Sequence, residues 1–438
     1  MNNNFLQEKI FRLLIFSIVF VCSCKSGPFN VFKPASPHEV YGKNLISSGL
    51  GQSAMGQTWL DLSEDILQHP VAIEIPYLEK GYFPAEKVQA AAFSFKMQRG
   101  QKLNVKLNKK PLQGFMIYTD IWEREEGGTL KVFGSSDTLG TAFQSDIDRT
   151  STFILRLQPE LLAGGEYTLE ITAGPSLDYP LKSYQNNQIR SIWGDGRDAG
   201  SRKHEGVDIF SPFRTPVLAI AAGTTRVNEN KLGGKVVWLR PEGKEFTLYY
   251  AHLDEQSVVD GQSVKIGDTL GRMGNTGNAK STPPHLHFGI YTRDGAVNPL
   301  PFINPKVPKS PEIKSATSLL NSIIRTTGNA ALSNTTTGGE SRLPNGTIGL
   351  VKAASAQNYR IEFPNGESGY LAAGKISETA KRISRQAINS DQVQLYDRPD
   401  SLAAVKGSLQ SGKNVDLIGS FKGYYFVKSD GQTGWIKK

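Results

Sequence analysis

Cysteine is almost absent: two occur in 438 residues, Cys22 and Cys24. The chain beyond them has no thiol, which excludes disulfides and cysteine-ligated metals from its folded domains. No apolar run is long enough to cross a bilayer. The longest, Leu13 to Val21 broken by Ser17, falls short of the roughly 20 residues needed for a hydrocarbon core about 30 Å thick. Histidine is scarce too, with six in the chain and none after His287. Acidic residues are outnumbered 41 to 50 by Lys and Arg, for a net charge of +9. Much of the excess lies late, with ten basic residues against five Asp from Lys381 onward. Such a surface suits a polyanionic partner, and charge alone does not choose among nucleic acid, an anionic membrane and a cell wall. What is abundant is Gly, 44 residues, beside 21% charged residues. That composition fits a turn-rich globular protein with room for three or four domains.

Lys9 and Arg12 precede the apolar run, as in a signal peptide. The run ends in Val21-Cys22-Ser23-Cys24, which resembles a bacterial lipobox. That resemblance implies a lipoprotein signal peptide over 1–24, with Cys24 lipidated, Cys22 discarded and the protein anchored in the cell envelope, at a periplasmic or outer membrane. Residues 25–70 read as a tether with a short helix across Trp59–Leu67. Alternating strands such as Leu103-Asn104-Val105-Lys106-Leu107 and Tyr167-Thr168-Leu169-Glu170-Ile171 predict an accessory β-sandwich over 71–175. Its turns resemble the prepeptidase-type domains of secreted hydrolases. Residues 180–305 hold four of the six histidines, and 306–327, with Pro308 and Pro311, read as a linker. Two units follow, 328–376 and 391–438, each an aromatic strand, a hairpin and a Gly-aromatic-aliphatic strand: Gly369-Tyr370-Leu371 recurs as Gly434-Trp435-Ile436. They resemble bacterial SH3-like repeats, with a short helix expected between them over Lys375–Ile388. Tyr424, Tyr425 and Trp435 read as barrel core in preference to a ligand platform.

The histidines fall in three motifs: His204-Glu205-Gly206-Val207-Asp208, Tyr250-Ala251-His252-Leu253 and His285-Leu286-His287-Phe288. In a strand, His285 and His287 share one face while Leu286 and Phe288 point to the core. Positions 204 and 208 of an extended strand stand about 13 Å apart, too far for one ion with ligands about 2 Å away. The chain must bend between them, and Gly206 tolerates the bend. Two imidazoles, one carboxylate and an open fourth position are what a catalytic zinc needs. His38 and His69 stand alone beside prolines and are not site residues. Asp195, Asp198 and Asp254 read as loop residues.

Together His204-x-x-x-Asp208, Tyr-x-His-Leu and His285-x-His287 resemble the lysostaphin-type (LytM-like) zinc endopeptidases. The flanks match as well: Trp193-Gly194, Thr215-Pro216-Val217, Val264-Lys265-Ile266-Gly267-Asp268 and Gly274-Asn275-Thr276-Gly277. The resemblance covers about 125 residues. It implies an antiparallel β-sheet domain of the lysostaphin, or duplicated-hybrid-motif, type within a mainly β, multidomain protein that also holds the β-sandwich and SH3-like barrels. It implies one Zn2+ held by His204, Asp208 and His287, with His285 as general base or proton carrier and His252 stabilising the oxyanion. The implied reaction is hydrolysis of stem or cross-bridge peptides of peptidoglycan, with no nucleic-acid partner. Gly289 departs from the pattern, since the family often has Glu after His-Leu-His-Phe, and Pro283-Pro284 is a smaller difference. Two rival readings are a non-catalytic activator of a cell-wall amidase and a secreted zinc peptidase acting on proteins.

Overall fold

The structure, a computed structural model, describes residues 34–136, 141–197, 200–333 and 341–438. The signal segment, the lipobox with Cys24, and Asp198 lie outside the described residues. Among the described residues, no helix is long and apolar enough to cross a membrane.

Helix occupies more of the expected tether than Trp59–Leu67. Two α-helices, Pro37–Ser47 and Ala54–Gln68, are built there. Ser53 caps the second by accepting from the Gly56 amide. Tertiary packing explains the difference: Trp59 is buried and donates its indole N–H to the Pro159 carbonyl at 2.8 Å. His38 stacks on Trp59, 4.5 Å between ring centroids, and bonds Gln158 at 2.7 Å. A helix of weak intrinsic propensity is held by what it buries.

The helices dock on a sandwich of two sheets. The smaller has five strands, with Ser151–Pro159 between Ala91–Met97 and Ile117–Arg124. The larger has nine and is centred on Tyr77–Phe83 and Gly165–Pro175. Phe93, Phe95, Leu155 and Leu157 from the first meet Leu103, Tyr167, Leu169 and Ile171 from the second in one core. Period-two alternation places these side chains inward, as the Tyr77–Phe83 strand shows with every second residue buried.

The larger sheet crosses the boundaries drawn from sequence. Ile348–Ser355 pairs antiparallel with Tyr77–Phe83, aligning Lys80 with Ala354 and Gly81 with Ala353. Asn358–Glu362 and Ser368–Ala372 then extend it. So the strands of 328–376 continue the sheet of 71–175, although residues 180–305 separate them in sequence. A buried ion pair seals the join. Arg360 meets Glu79 at 3.1 Å, and the hydroxyls of Tyr77 and Tyr167 each donate to Glu79 at 2.6 Å. Residues 306–327 are docked too: Ser310 Oγ donates to Glu170 at 2.7 Å, and Ile323–Thr326 is a strand of the same sheet.

The last six strands, from Ser384–Ala387 to Gln432–Lys437, form an open sheet. Among the described residues no sheet closes into a barrel, which corrects the expected SH3-like barrels. Phe426 and Trp435 pack with Ile348, Val351 and Ile361 in one shared core, so the two repeats are fused. Trp435 is core, while Tyr424 and Tyr425 are half-buried. Across Lys375–Ile388 the chain forms the strands Ile376–Glu378 and Ser384–Ala387 in place of a helix, because each finds a sheet partner.

Between these parts, residues 189–297 build a ten-stranded sheet with the central order Val207–Phe210, His285–Thr292, Thr247–Gln256, Gly234–Pro241, Gly223–Asn230. One face buries Val207, Ile209, Leu248, Tyr250, Leu286 and Phe288. The other face is left open. Phe302 ties this sheet to the sandwich: its ring lies where a Cβ on Gly100 would be, 2.2 Å away, and Gly100 has φ +90. Only glycine fits there.

Candidate metal centre

The register of two strands creates the centre. Val207–Phe210 pairs antiparallel with His285–Thr292, setting Asp208 opposite His287 and Phe210 opposite His285. Opposed residues share a face about 4.5–5.5 Å apart, and this face is the open one, because Val207, Ile209, Leu286 and Phe288 take the core. His204 precedes the strand, held by its own N–H on the Asp195 carbonyl and by Gly194 N–H on its carbonyl. The chain bends between 204 and 208, so that His204 Nε2 reaches Asp208 Oδ1 at 3.0 Å. Gly206 occupies the bend because a Cβ there would lie 2.6 Å from the Phe288 carbonyl and 2.7 Å from the His287 ring.

His204 Nε2, His287 Nδ1 and Asp208 Oδ1 form a near-equilateral triangle with sides of 2.9, 3.0 and 3.0 Å. Ligands 2.0–2.1 Å from a tetrahedral zinc stand roughly 3.3 Å from each other. The triangle is therefore three corners of such a tetrahedron, slightly contracted. The donor set is also right in kind, two imidazoles and a carboxylate with no thiol. His204 Nδ1 lies 2.9 Å from the Ile192 carbonyl, which only accepts, so Nδ1 carries the hydrogen and the Nε2 lone pair turns inward. These residues fit a zinc ion.

Around the triangle the electrostatics favour a bare carboxylate and lower the basicity of two of the rings. Burial pushes the Asp208 carboxyl up, but hydrogen bonds with His204 and His287 outweigh it and hold it well below the usual range. The carboxylate's second oxygen takes a 2.5 Å ion pair from Arg197. Burial holds His287 below the ordinary imidazole value, against the raising effect of Asp208. His252 is lowered to about 4, first by burial and then by His285 and His287.

His252 and His285 stand beside the triangle, 5.0 Å apart between ring centroids, and His252 lies 5.9 Å from His287. His252 has φ 63, in the left-handed region. Pairing shifts register between Lys235 and Val237 opposite it, so a bulge re-aims the ring from the strand onto the cleft. Each ring is fixed through Nδ1, His252 on the Thr276 carbonyl at 2.9 Å and His285 on the Pro283 carbonyl at 3.0 Å. Both thus turn Nε2 away from the backbone. The five residues line one cleft of about 570 Å³, whose floor also includes Tyr249.

The structure thus brings together His204, Asp208, His287, His252 and His285. His38 is buried on the sandwich, and His69 sits exposed at the end of a helix. Asp195 accepts from Ile192 N–H and Ser191 Oγ in a turn, and Asp254 pairs with Arg214. Sequence reasoning missed Arg197 and Ser191; Ser191 Oγ lies 3.2 Å from His204 Nδ1 and receives Arg197 at 2.8 Å. The one available signal was an arginine eleven positions before a carboxylate already assigned to a metal.

Residues 202–299 match the profile of peptidase family M23. The L-Ala–D-Glu endopeptidase of Bacillus subtilis (strain 168) is 34% identical over 126 residues, 27% of this chain and 38% of the relative. The peptidoglycan DD-endopeptidase ShyC of Vibrio cholerae is 33% identical over 99 residues, 22% of each chain. The solved catalytic domain of lysostaphin from Staphylococcus simulans is 31% identical and covers 26% of this chain and 92% of its own, with a TM-score of 0.24. The chain spans less than two fifths of either curated relative. With the His-Asp-His triangle in its midst, the segment 202–299 is a domain of peptidase family M23, the LytM/lysostaphin type.

Proposed function

We propose that this protein is a zinc endopeptidase that hydrolyses peptide cross-links or stem peptides of bacterial peptidoglycan. The observation that carries the reading is the three-atom triangle of His204, Asp208 and His287, flanked by two further imidazoles in one cleft. Zinc would supply a Lewis acid that polarises the scissile carbonyl. His285 would take the proton that the attacking water gives up and hand that one proton to the leaving amine, while the His252 ring would stabilise charge on the carbonyl oxygen. Burial lowers His252 to about 4, so its ring carries no charge at neutral pH before the substrate arrives. Arg197 would hold Asp208 in its ligating orientation. The substrate assignment follows the printed names of the relatives. The lipid anchor at Cys24 and the envelope location belong to the same proposal, and the basic residues of 391–438 would bind the anionic wall.

Metal analysis and activity assays on single variants separate the roles. His204→Ala, Asp208→Ala or His287→Ala should abolish stoichiometric zinc. His252→Ala and His285→Ala should retain zinc and lose about 10²–10⁴-fold in kcat. Stoichiometric zinc in His287→Ala would overturn the ligand set.

A further inference from the structure

Past the metal ligands, the open face of the catalytic sheet continues into a second cleft of about 790 Å³. The register fixes what it presents. One step beyond the row containing Ala251 and His287, Arg226 pairs with Trp238, Trp238 with Tyr249, and Tyr249 with Gly289. One step further, Thr224 pairs with Arg240 and Thr247 with Tyr291. Trp238, Tyr249 and Tyr291 pack on one another at 4.4 to 5.9 Å between ring centroids, forming an aromatic step; Trp238 and Tyr291 line both clefts, and Tyr249 the first. Gly289 makes the step possible, since a Cβ there would lie 2.9 Å from the Tyr291 ring. The residue that departs from the family pattern thus admits an aromatic floor, and it leaves no carboxylate in that row.

Beyond the step the cleft is basic. Arg226, Arg240, Lys244 and Arg293 line it against a single acid, Glu245. Lys244 is taken by Asp146 at 2.7 Å. Arg226, Arg240 and Arg293 are exposed and pair with no carboxylate among the described residues. From His287 to Tyr291 is about 13 Å along the strand, and to Arg293 about 20 Å, at roughly 3.3 Å per residue. An extended peptide spanning that distance has four to six residues.

We propose that this aromatic step and its three arginines form a substrate subsite for free carboxylates lying about four to six extended residues from the scissile bond. The proposal rests on the peptidase reading and narrows it. The preferred substrate is an acidic stem peptide, as opposed to a neutral oligoglycine bridge. Guanidinium groups bind carboxylates by paired, charge-assisted hydrogen bonds, and the rings carry the peptide's apolar portions between the two clefts.

The test uses the full zinc-loaded chain and two soluble probes, a cross-linked stem-peptide dimer with free carboxylates and the same dimer with those groups amidated. Binding is read by calorimetry and hydrolysis as kcat/KM, with Arg240→Gln/Arg293→Gln as the variant; both side chains are exposed, so the core is untouched. The wild type should favour the acidic dimer by about tenfold, the sum of a few exposed ion pairs. The preference should shrink at high salt, where the screening length falls from about 10 Å to about 3 Å, and it should approach unity in the variant. Equal affinity of the wild type for both dimers, or an undiminished preference in the variant, overturns the subsite. Preferential binding without hydrolysis would leave the subsite standing and remove the peptidase reading; equal hydrolysis of both dimers would do the reverse.

Discussion

The imidazoles of this protein are tuned by what touches their far nitrogen and by how dry they are. His204, His252 and His285 each anchor Nδ1 on a backbone carbonyl, which leaves Nε2 for chemistry. His38 shows the same physics without a catalytic purpose. Burial, and then Arg156, holds it at about 4 against an ordinary 6.5. Between those values the unfolded chain binds a proton that the folded chain does not, so stability rises with pH there. Its contribution is complete above pH 6.5 and is lost as pH falls through about 4. At most about 3 kcal/mol is involved. Thermal melts from pH 4 to 7 should therefore fall less steeply toward acid for His38→Gln, which can still donate to Gln158. Parallel curves for variant and wild type would refute this.

At the level of strands and helices, the motif-bearing elements were legible because each writes its position into a local pattern. His285-Leu286-His287-Phe288 alternates histidine and core residue, and the face it implied is the face observed. Gly206 marked the bend. The β-bulge at His252 was not legible, because left-handed backbone at a histidine leaves no trace in residue type. The helix Pro37–Ser47 was missed for a related reason: its partners Tyr118, Gln158 and Leu161 lie more than 70 residues away. The largest discrepancy is the strand Ile348–Ser355, whose partner Tyr77–Phe83 lies across the whole of residues 180–305. Arg360 is the critical residue of that join, fully encircled by Glu79 and Tyr167. Arg360→Ala removes the only cation bonded to buried Glu79 among the described residues, leaving it the Tyr77 and Tyr167 hydroxyls, and should cost about 3–5 kcal/mol in denaturant unfolding. A loss below about 1 kcal/mol would mean the pair is not the seal described here.

Across the whole molecule, the ten-stranded sheet that carries the His-Asp-His triangle is inserted between two halves of one β-structure. Gly100 against Phe302, and Lys244 on Asp146, lock it to the sandwich. Of the two repeats beyond 328, the first shares a sheet with residues 77–175, the second has a sheet of its own, and the two share a core. Truncation near Lys306 should therefore destabilise the sandwich as well as remove basic surface. Its melting temperature should drop, and protease should cut within 71–175. A truncated chain as stable as the full one would show that the halves fold separately. The same geometry fixes the histidine-lined cleft relative to the basic surface of 391–438. The most direct test of the central claim is mass spectrometry of the products released from purified peptidoglycan by the full chain, with and without a chelator. The account predicts peptide fragments with a new amine and carboxyl at one cleaved peptide bond, absent when the metal is stripped. Products cut only in the glycan, only at the glycan–peptide amide, or equally with chelator present would contradict it.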